Sequence, residues 1–427
     1  MKKRLLFSLI TILFCLSSCQ PALQPGVNAT ATAVLSLTST EGPSAGSKPT
    51  ASQQRTVKAT FTATSSPTST EVPSATVVTS FANTTHSPMV VPATPDITNI
   101  VQQADVRFQD LTKVSSNLDF NLIESLWFNG ATTWPAPYAD TAHKILELGM
   151  NPGLGIRGLH TQGITGKGVN VAIIDQNLVL DHPEFKGKIV KYTDVGTGQP
   201  ANQGSMHGPA VTSLLVGENI GTAPDARVYY AAAPSWTGDA QYYADALNWI
   251  VDENAKLPAG SKIRVVSVSA APSGPGTPFK LHNDAWDSAY ARATGAGILV
   301  LDCTENHGIT APCYLDLNDP DNEGKCTPGF PGKENQVMPG SISIPTSFRS
   351  TAEEYNQGIF SYQYAGLGGL SWSVPYLAGV LAMGWQIRPS LTNSQILDLI
   401  FSSAYKAPDG SLIINPVAFI EKVQSTK

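Results

Sequence analysis

The sequence predicts an α/β fold: a parallel β-sheet flanked by helices on both faces, preceded by a disordered Ser/Thr/Pro-rich stalk. Short apolar runs rich in β-branched residues recur after Gly163, at Val169–Ile174, Ile263–Val268 and Gly297–Leu301. They alternate with stretches of helical period. Apolar strands alternating with amphipathic helices build a sheet covered on both sides, with chemistry collected at the carboxyl ends of its strands. A third observation predicts the stalk. From Gln20 to about Asp96 the chain is mostly Ser, Thr, Pro, Ala and Val, with Phe61 and Phe81 as its only aromatic residues.

At the amino terminus, Met1-Lys2-Lys3-Arg4 precedes the apolar run Leu5–Leu16 and then Ser17-Ser18-Cys19. A basic start, a short apolar run and small residues before a cleavage point form a secretory signal over residues 1–18. The run is too short to span a bilayer comfortably. Residues 19–96 cannot bury enough surface to offset their ordering entropy, so they are expected to stay extended. A flexible chain of that length holds a domain about 50 Å from its anchor. Phe108, Phe120, Leu122, Trp127 and Trp134 mark a change of texture, and residues 97–150 read as an N-terminal extension. It is either packed on the main domain or a removable pro-region.

Residues 151–427 form the main domain. Within it, Asp239–Ala255 places Tyr243, Leu247, Ile250 and Val251 on one helical face. Asn283–Thr294 does the same with Trp286, Ala289, Tyr290 and Ala293. Thr392 followed by Gln395 is a capping-box start.

The 427 residues are 42% hydrophobic and 14% charged with a net charge of −6, enough for a large core and unlike a nucleic-acid binder. With Cys15 removed and Cys19 modified, three cysteines remain: Cys303, Cys313 and Cys326. Export permits disulfides, and Cys313 and Cys326, which flank the polar stretch Asp316–Gly324, are the expected pair. Zinc-ligand spacing is missing, so no metal is expected at these cysteines.

Three segments carry nucleophilic chemistry. Val171-Ala172-Ile173-Ile174-Asp175 sets a carboxylate at a strand end, followed by Asp181-His182-Pro183-Glu184-Phe185. Ser205-Met206-His207-Gly208-Pro209-Ala210-Val211 sets a histidine at a helix start, and Gly369-Leu370-Ser371-Trp372-Ser373-Val374-Pro375 sets a serine at a loop-to-helix junction. A serine hydroxyl is a weak nucleophile until a base takes its proton. The imidazole must be held in one tautomer and stabilised when charged, which a buried carboxylate does. Helix N-termini present N–H groups to a developing oxyanion. Taken singly, Asp175 could cap a helix, His207 could be a core histidine and Ser371 an N-cap. Together the segments resemble the aspartate, histidine and serine motifs of the subtilase family (subtilisin-like serine peptidases), over about residues 150–423. Asp, His, Ser is also that family's order. Leu16-Ser17-Ser18-Cys19 likewise resembles the lipobox of bacterial lipoproteins, which implies a lipid on Cys19.

The resemblance implies a subtilisin-like fold with Asp175, His207 and Ser371 as catalytic triad. Gly297–Gly308 matches the segment that supplies the family's oxyanion asparagine, here Asn306. Val265–Ser269 resembles the edge strand on which substrate backbone pairs, so Ser267, Val268, Ser269 and Thr304 are expected to bind substrate. Asp302 and Glu305 align with a wall of the primary side-chain pocket. Exposed there, they would favour a basic P1 residue; paired or turned away, they would not. His182 and His307 fall outside the histidine motif and read as loop residues. No cofactor is required. Structural calcium accompanies many members, and Asp316–Glu323 offers oxygen ligands without the ordered spacing of a calcium loop.

The motifs also depart from the family. Gln176-Asn177 stand where a small residue and glycine are usual, and Pro209-Ala210 where threonine and a second histidine are common. Leu370, Trp372 and Ser373 replace threonine, methionine and alanine, and Glu305 replaces a glycine. No triad or oxyanion group is lost. The expectation is a monomeric serine endopeptidase, lipid-anchored to the bacterial envelope and surface-exposed, acting on proteins or peptides. Its rivals are an inactive binding module of the same fold and an esterase with the same triad. The Asp-His-Ser order and the missing Gly-x-Ser-x-Gly elbow speak against the esterase.

Overall fold

The computed structural model describes residues 99–115, 117–199, 202–334 and 339–426, with the backbone of Thr76–Val77. The expected signal peptide 1–18, Cys19 and the rest of the stalk 19–96 lie outside the described residues. Helices α1 (Phe120–Ser125), α2 (Ala139–Gly149) and α3 (Ile156–Thr161) and strand β1 (Trp127–Asn129) come first. Asp119 caps α1 by accepting from the Leu122 amide, satisfying a donor the helix itself leaves open.

Five parallel strands follow: β2 (Asn170–Asp175), β3 (Ile189–Asp194), β4 (Arg227–Ala232), β5 (Ile263–Val268) and β6 (Leu299–Leu301). They lie in the order β3-β4-β2-β5-β6, with Thr76–Val77 antiparallel on β3. Helices α4 (His207–Val216), α5 (Gln241–Lys256) and α6 (Asn283–Gly295) connect them. Successive side chains of β2 point to opposite faces, yet all are buried, because each face has its own core. Val171 and Ile173 join Val211 and Leu214 of α4. Ala172 and Ile174 join Leu247 and Ile250 of α5 and Trp286 of α6. This double cover is why the strands read as unbroken apolar runs.

Sheet growth reverses at β2: β3 and β4 are added on one side, β5 and β6 on the other. Such a switch point opens a crevice beyond the carboxyl ends of the strands. Asp175 ends β2 and Ser269 follows β5, so both stand at that crevice.

The rest of the chain forms β7 (Thr310–Tyr314), β8 (Thr327–Phe330), β9 (Lys333–Glu334), β10 (Ile342–Ser347), β11 (Arg349–Glu353) and β12 (Ser361–Ala365). Then come α7 (Ser373–Ile387), α8 (Asn393–Ser403), β13 (Tyr405–Lys406), β14 (Leu412–Ile413) and α9 (Pro416–Ser425). A second sheet has the order β9-β8-β7-β10-β14-β13, and β11, β12 and β1 form a third. The capping box of Thr392 and Gln395 starts α8. Residues 99–150 are packed on the main domain: β1 pairs with β12, and Phe128 and Ile145 share a core with Tyr364 and Leu317.

A disulfide joins Cys313 of β7 to Cys326, just before β8. Closing a loop of this size contributes about 3 kcal/mol in the chain-entropy account. No helix among the described residues is long and apolar enough to cross a membrane.

Candidate active site

Asp175 and His207 are both buried, and His207 Nδ1 lies 2.7 Å from Asp175 Oδ1. Oδ1 also accepts from the Gln176 amide at 2.8 Å. An ionised carboxylate only accepts, so the proton on the imidazole sits at Nδ1 and Nε2 keeps its lone pair. Nε2 is buried and has no hydrogen-bond partner among the described residues. Burial disfavours the charged imidazole, but the charge of Asp175 and its hydrogen bond outweigh that and hold His207 above its ordinary value.

The histidine is seated by its neighbours. Ser205 Oγ accepts from the Gly208 amide at 3.0 Å, and the Asn177 side chain donates to the Gln203 carbonyl. A side chain at Gly208 would meet the carbonyls of Gln176 and Asn177 and the Tyr230 hydroxyl, all within 2.8 Å. Only glycine lets the histidine turn lie this close to the end of β2.

Ser371 is the middle residue of a single 3₁₀ turn, Leu370–Trp372, immediately before α7. It is fully buried. Its Oγ faces the Ser269 carbonyl at 3.4 Å, while Ser269 Oγ donates to the Ser371 carbonyl at 2.6 Å. The two serines thus bind one another across the crevice from β5 to α7. In this arrangement the Ser371 hydroxyl is directed at Ser269 and not at His207. Ser373 supports the turn, its Oγ donating to the Leu370 carbonyl and lying 2.7 Å from Thr310 Oγ1.

Asn306 is exposed in the turn after β6. Gly274, at φ +87°, lies against it: a Cβ there would sit 3.4 Å from Asn306 Nδ2, in a conformation that other residues rarely adopt. Asp302 is not an acidic pocket wall. Its side chain is fully buried and accepts from Thr304 N, Thr304 Oγ1 and His307 Nδ1. A carboxylate so occupied has no oxygen exposed for direct contact with a basic P1 residue.

Two further expectations are corrected. β5 is an interior strand, not an edge: Ser267 pairs with both Ile173 and Leu301, and Val268 with Ile174. The backbone of Ser267 is thus taken up by the sheet on both sides, whereas Val268, the last residue of β5, pairs with β2. Thr304 is buried, and its hydroxyl is spent inside its own turn. Ser269 remains at the crevice as Ser371's partner, a role that sequence reasoning missed.

The acidic stretch is used internally as well. Asp316 and Asp319 both pair with Lys325, and Asp321 accepts from the Gly155 amide. No group of three or more potential metal ligands occurs among the described residues.

A profile of the subtilase family matches residues 166–338. Subtilisin amylosacchariticus of Bacillus subtilis subsp. amylosacchariticus is 25% identical over 265 residues, 58% of this chain and 63% of its own length. Over residues 166–338 the chain is thus similar to the subtilase family. The subtilisin-like protease PopC of Myxococcus xanthus (strain DK1622) is 24% identical over 285 residues, 60% of this chain and 59% of its own. Fervidolysin from Fervidobacterium pennivorans superposes with a TM-score of 0.46 at 16% identity, covering 64% of this chain and 45% of that one. The chain therefore spans less than two thirds of the length of the curated relatives named here.

The profile contains Asp175, His207 and Asn306 but ends before Ser371. The residues that depart from the family's motifs have local partners. Gln176 donates to Ser235 Oγ at 2.8 Å, and Trp372 is buried in the core beneath α7. Ser373 makes the two contacts already described.

Proposed function

We propose that this chain is a subtilisin-like serine endopeptidase, with Asp175, His207 and Ser371 as its triad, held at the bacterial cell surface by a lipid on Cys19. The observation that carries the reading is the buried Asp175–His207 bond at the sheet's switch point, which leaves Nε2 ready for a proton. Ser371 Oγ, turned from the Ser269 carbonyl, bonds to the scissile carbonyl carbon as its proton passes to Nε2. The oxyanion is met by Asn306 Nδ2 and the Ser371 amide. His207 then protonates the leaving amine, and an acyl ester remains on Ser371. A water that gives its proton to His207 attacks the ester and frees the serine.

Casein incubated with the full chain is expected to yield fragments with new amino termini, and prior treatment with a fluorophosphonate should stop it. Intact casein beside a folded protein would overturn the endopeptidase reading. Hydrolysis of simple esters alone would favour an esterase.

The lipid tether is supported by the basic start, the apolar run and Leu16-Ser17-Ser18-Cys19. Cells expressing the protein and fed an alkynyl fatty acid should label the wild type and not Cys19→Ser. Equal labelling of both would remove the anchor from Cys19.

A further inference from the structure

We propose that Asp302 is a positioning residue that fixes the oxyanion donor Asn306 through Thr304 and His307. The proposal rests on the peptidase reading above. A carboxylate buried this completely is costly unless hydrogen bonds compensate its charge. Asp302, directly after β6, receives three of them, all from the turn that carries Asn306. Thr304 N and Thr304 Oγ1 donate to Oδ1 at 3.0 and 2.7 Å, and His307 Nδ1 lies 3.3 Å from Oδ2.

Thr304 passes the restraint onward. Its Oγ1 accepts from the His307 amide at 3.1 Å and its carbonyl from the Gly308 amide at 2.8 Å. The His307 ring stacks on Tyr290 of α6, with centroids 3.8 Å apart and planes 13° from parallel. The turn is thus pinned to the end of β6 on one side of Asn306 and to α6 on the other. Asn306 is the residue between the two pins, with its own side chain exposed. A donor for an oxyanion is effective only when it is preorganised, and its neighbours supply the rigidity that its exposed side chain cannot. His307, which reads as a bystander in the sequence, becomes part of the frame.

The test is a double-mutant cycle on a peptide substrate, using the full chain. Asp302→Asn should lower kcat about 10- to 100-fold, the scale of a small misplacement, with KM within about twofold. Asn306→Gly should lower kcat about 10²- to 10³-fold. The double variant should lie within about twofold of Asn306→Gly alone, because a misplaced donor and a missing donor are the same loss. A wild-type kcat in Asp302→Asn, or effects that multiply in the double variant, would overturn the positioning role. If Asp302→Asn does not fold by circular dichroism, Thr304→Val runs the same cycle, since it keeps the side-chain volume and removes both hydroxyl bonds. An inactive wild type would defeat the peptidase reading and this role together. An active wild type with a multiplicative cycle would defeat this role alone.

Discussion

Exchanging Ser371 for alanine is expected to lower kcat for peptide hydrolysis by about 10⁶-fold, the scale known from loss of the serine in subtilisin itself, while the protein stays folded. The fold should survive because the hydroxyl makes one long contact, 3.4 Å to the Ser269 carbonyl. The stronger bond of the pair, from Ser269 Oγ, ends on the Ser371 backbone carbonyl, which alanine retains. A rate above that of water should persist, since Asn306 and substrate binding remain. Adding His207→Ala to the same protein should change little, because the base has no proton left to accept. Steady-state kinetics on a fluorogenic peptide checks both statements. A loss of less than about tenfold in Ser371→Ala would show that another residue makes the acyl ester.

Asp175→Asn is expected to cost about 10⁴-fold in kcat and to shift the pH profile. Asparagine can donate toward Nδ1, which favours the tautomer with its proton on Nε2, where it cannot act as a base. In the wild type, burial lowers the pKa of His207, but the charge and hydrogen bond of Asp175 raise it further, to above 6.5. The base works when neutral, so kcat/KM should rise with pH through a midpoint above 6.5. Asp175→Asn removes both raising influences and leaves burial, so its midpoint should move below that of the wild type. A pH–rate profile of the two proteins decides, and an unmoved midpoint would separate His207 from the base.

The parts of the fold legible in the sequence are those whose burial is uniform. β2 and β5 lie between two helical layers, so composition alone marks them, and α5 and α6 carry a one-sided apolar face. The second sheet was not legible. Pro312 in β7 and Pro345 in β10 argue against strands, and β9, β13 and β14 are two residues long. β1, with three residues, is too short to show a period, and it forms only because β12 supplies its partner.

The site was legible through types and order. The carboxylate, the imidazole and the serine each sit at an element's end, and such ends leave sequence marks. Strand neighbours leave none, because interior and edge strands of a parallel sheet share one composition, and Ser267 was placed on an edge for that reason. Long-range bonds are equally silent: Ser269 meets Ser371 across 102 residues. Asp302 is the intermediate case. Its spacing to Thr304 and His307 is local, yet burial decides that the carboxylate turns inward, and burial was not readable at a position that resembles a pocket wall.

The most direct test treats the full chain with a fluorophosphonate and maps the adduct by mass spectrometry. A single adduct on the peptide containing Ser371, absent from Ser371→Ala, is the result predicted for a serine activated by His207. An adduct on another residue, or none on a demonstrably folded wild type, would contradict the assignment of Ser371 as nucleophile.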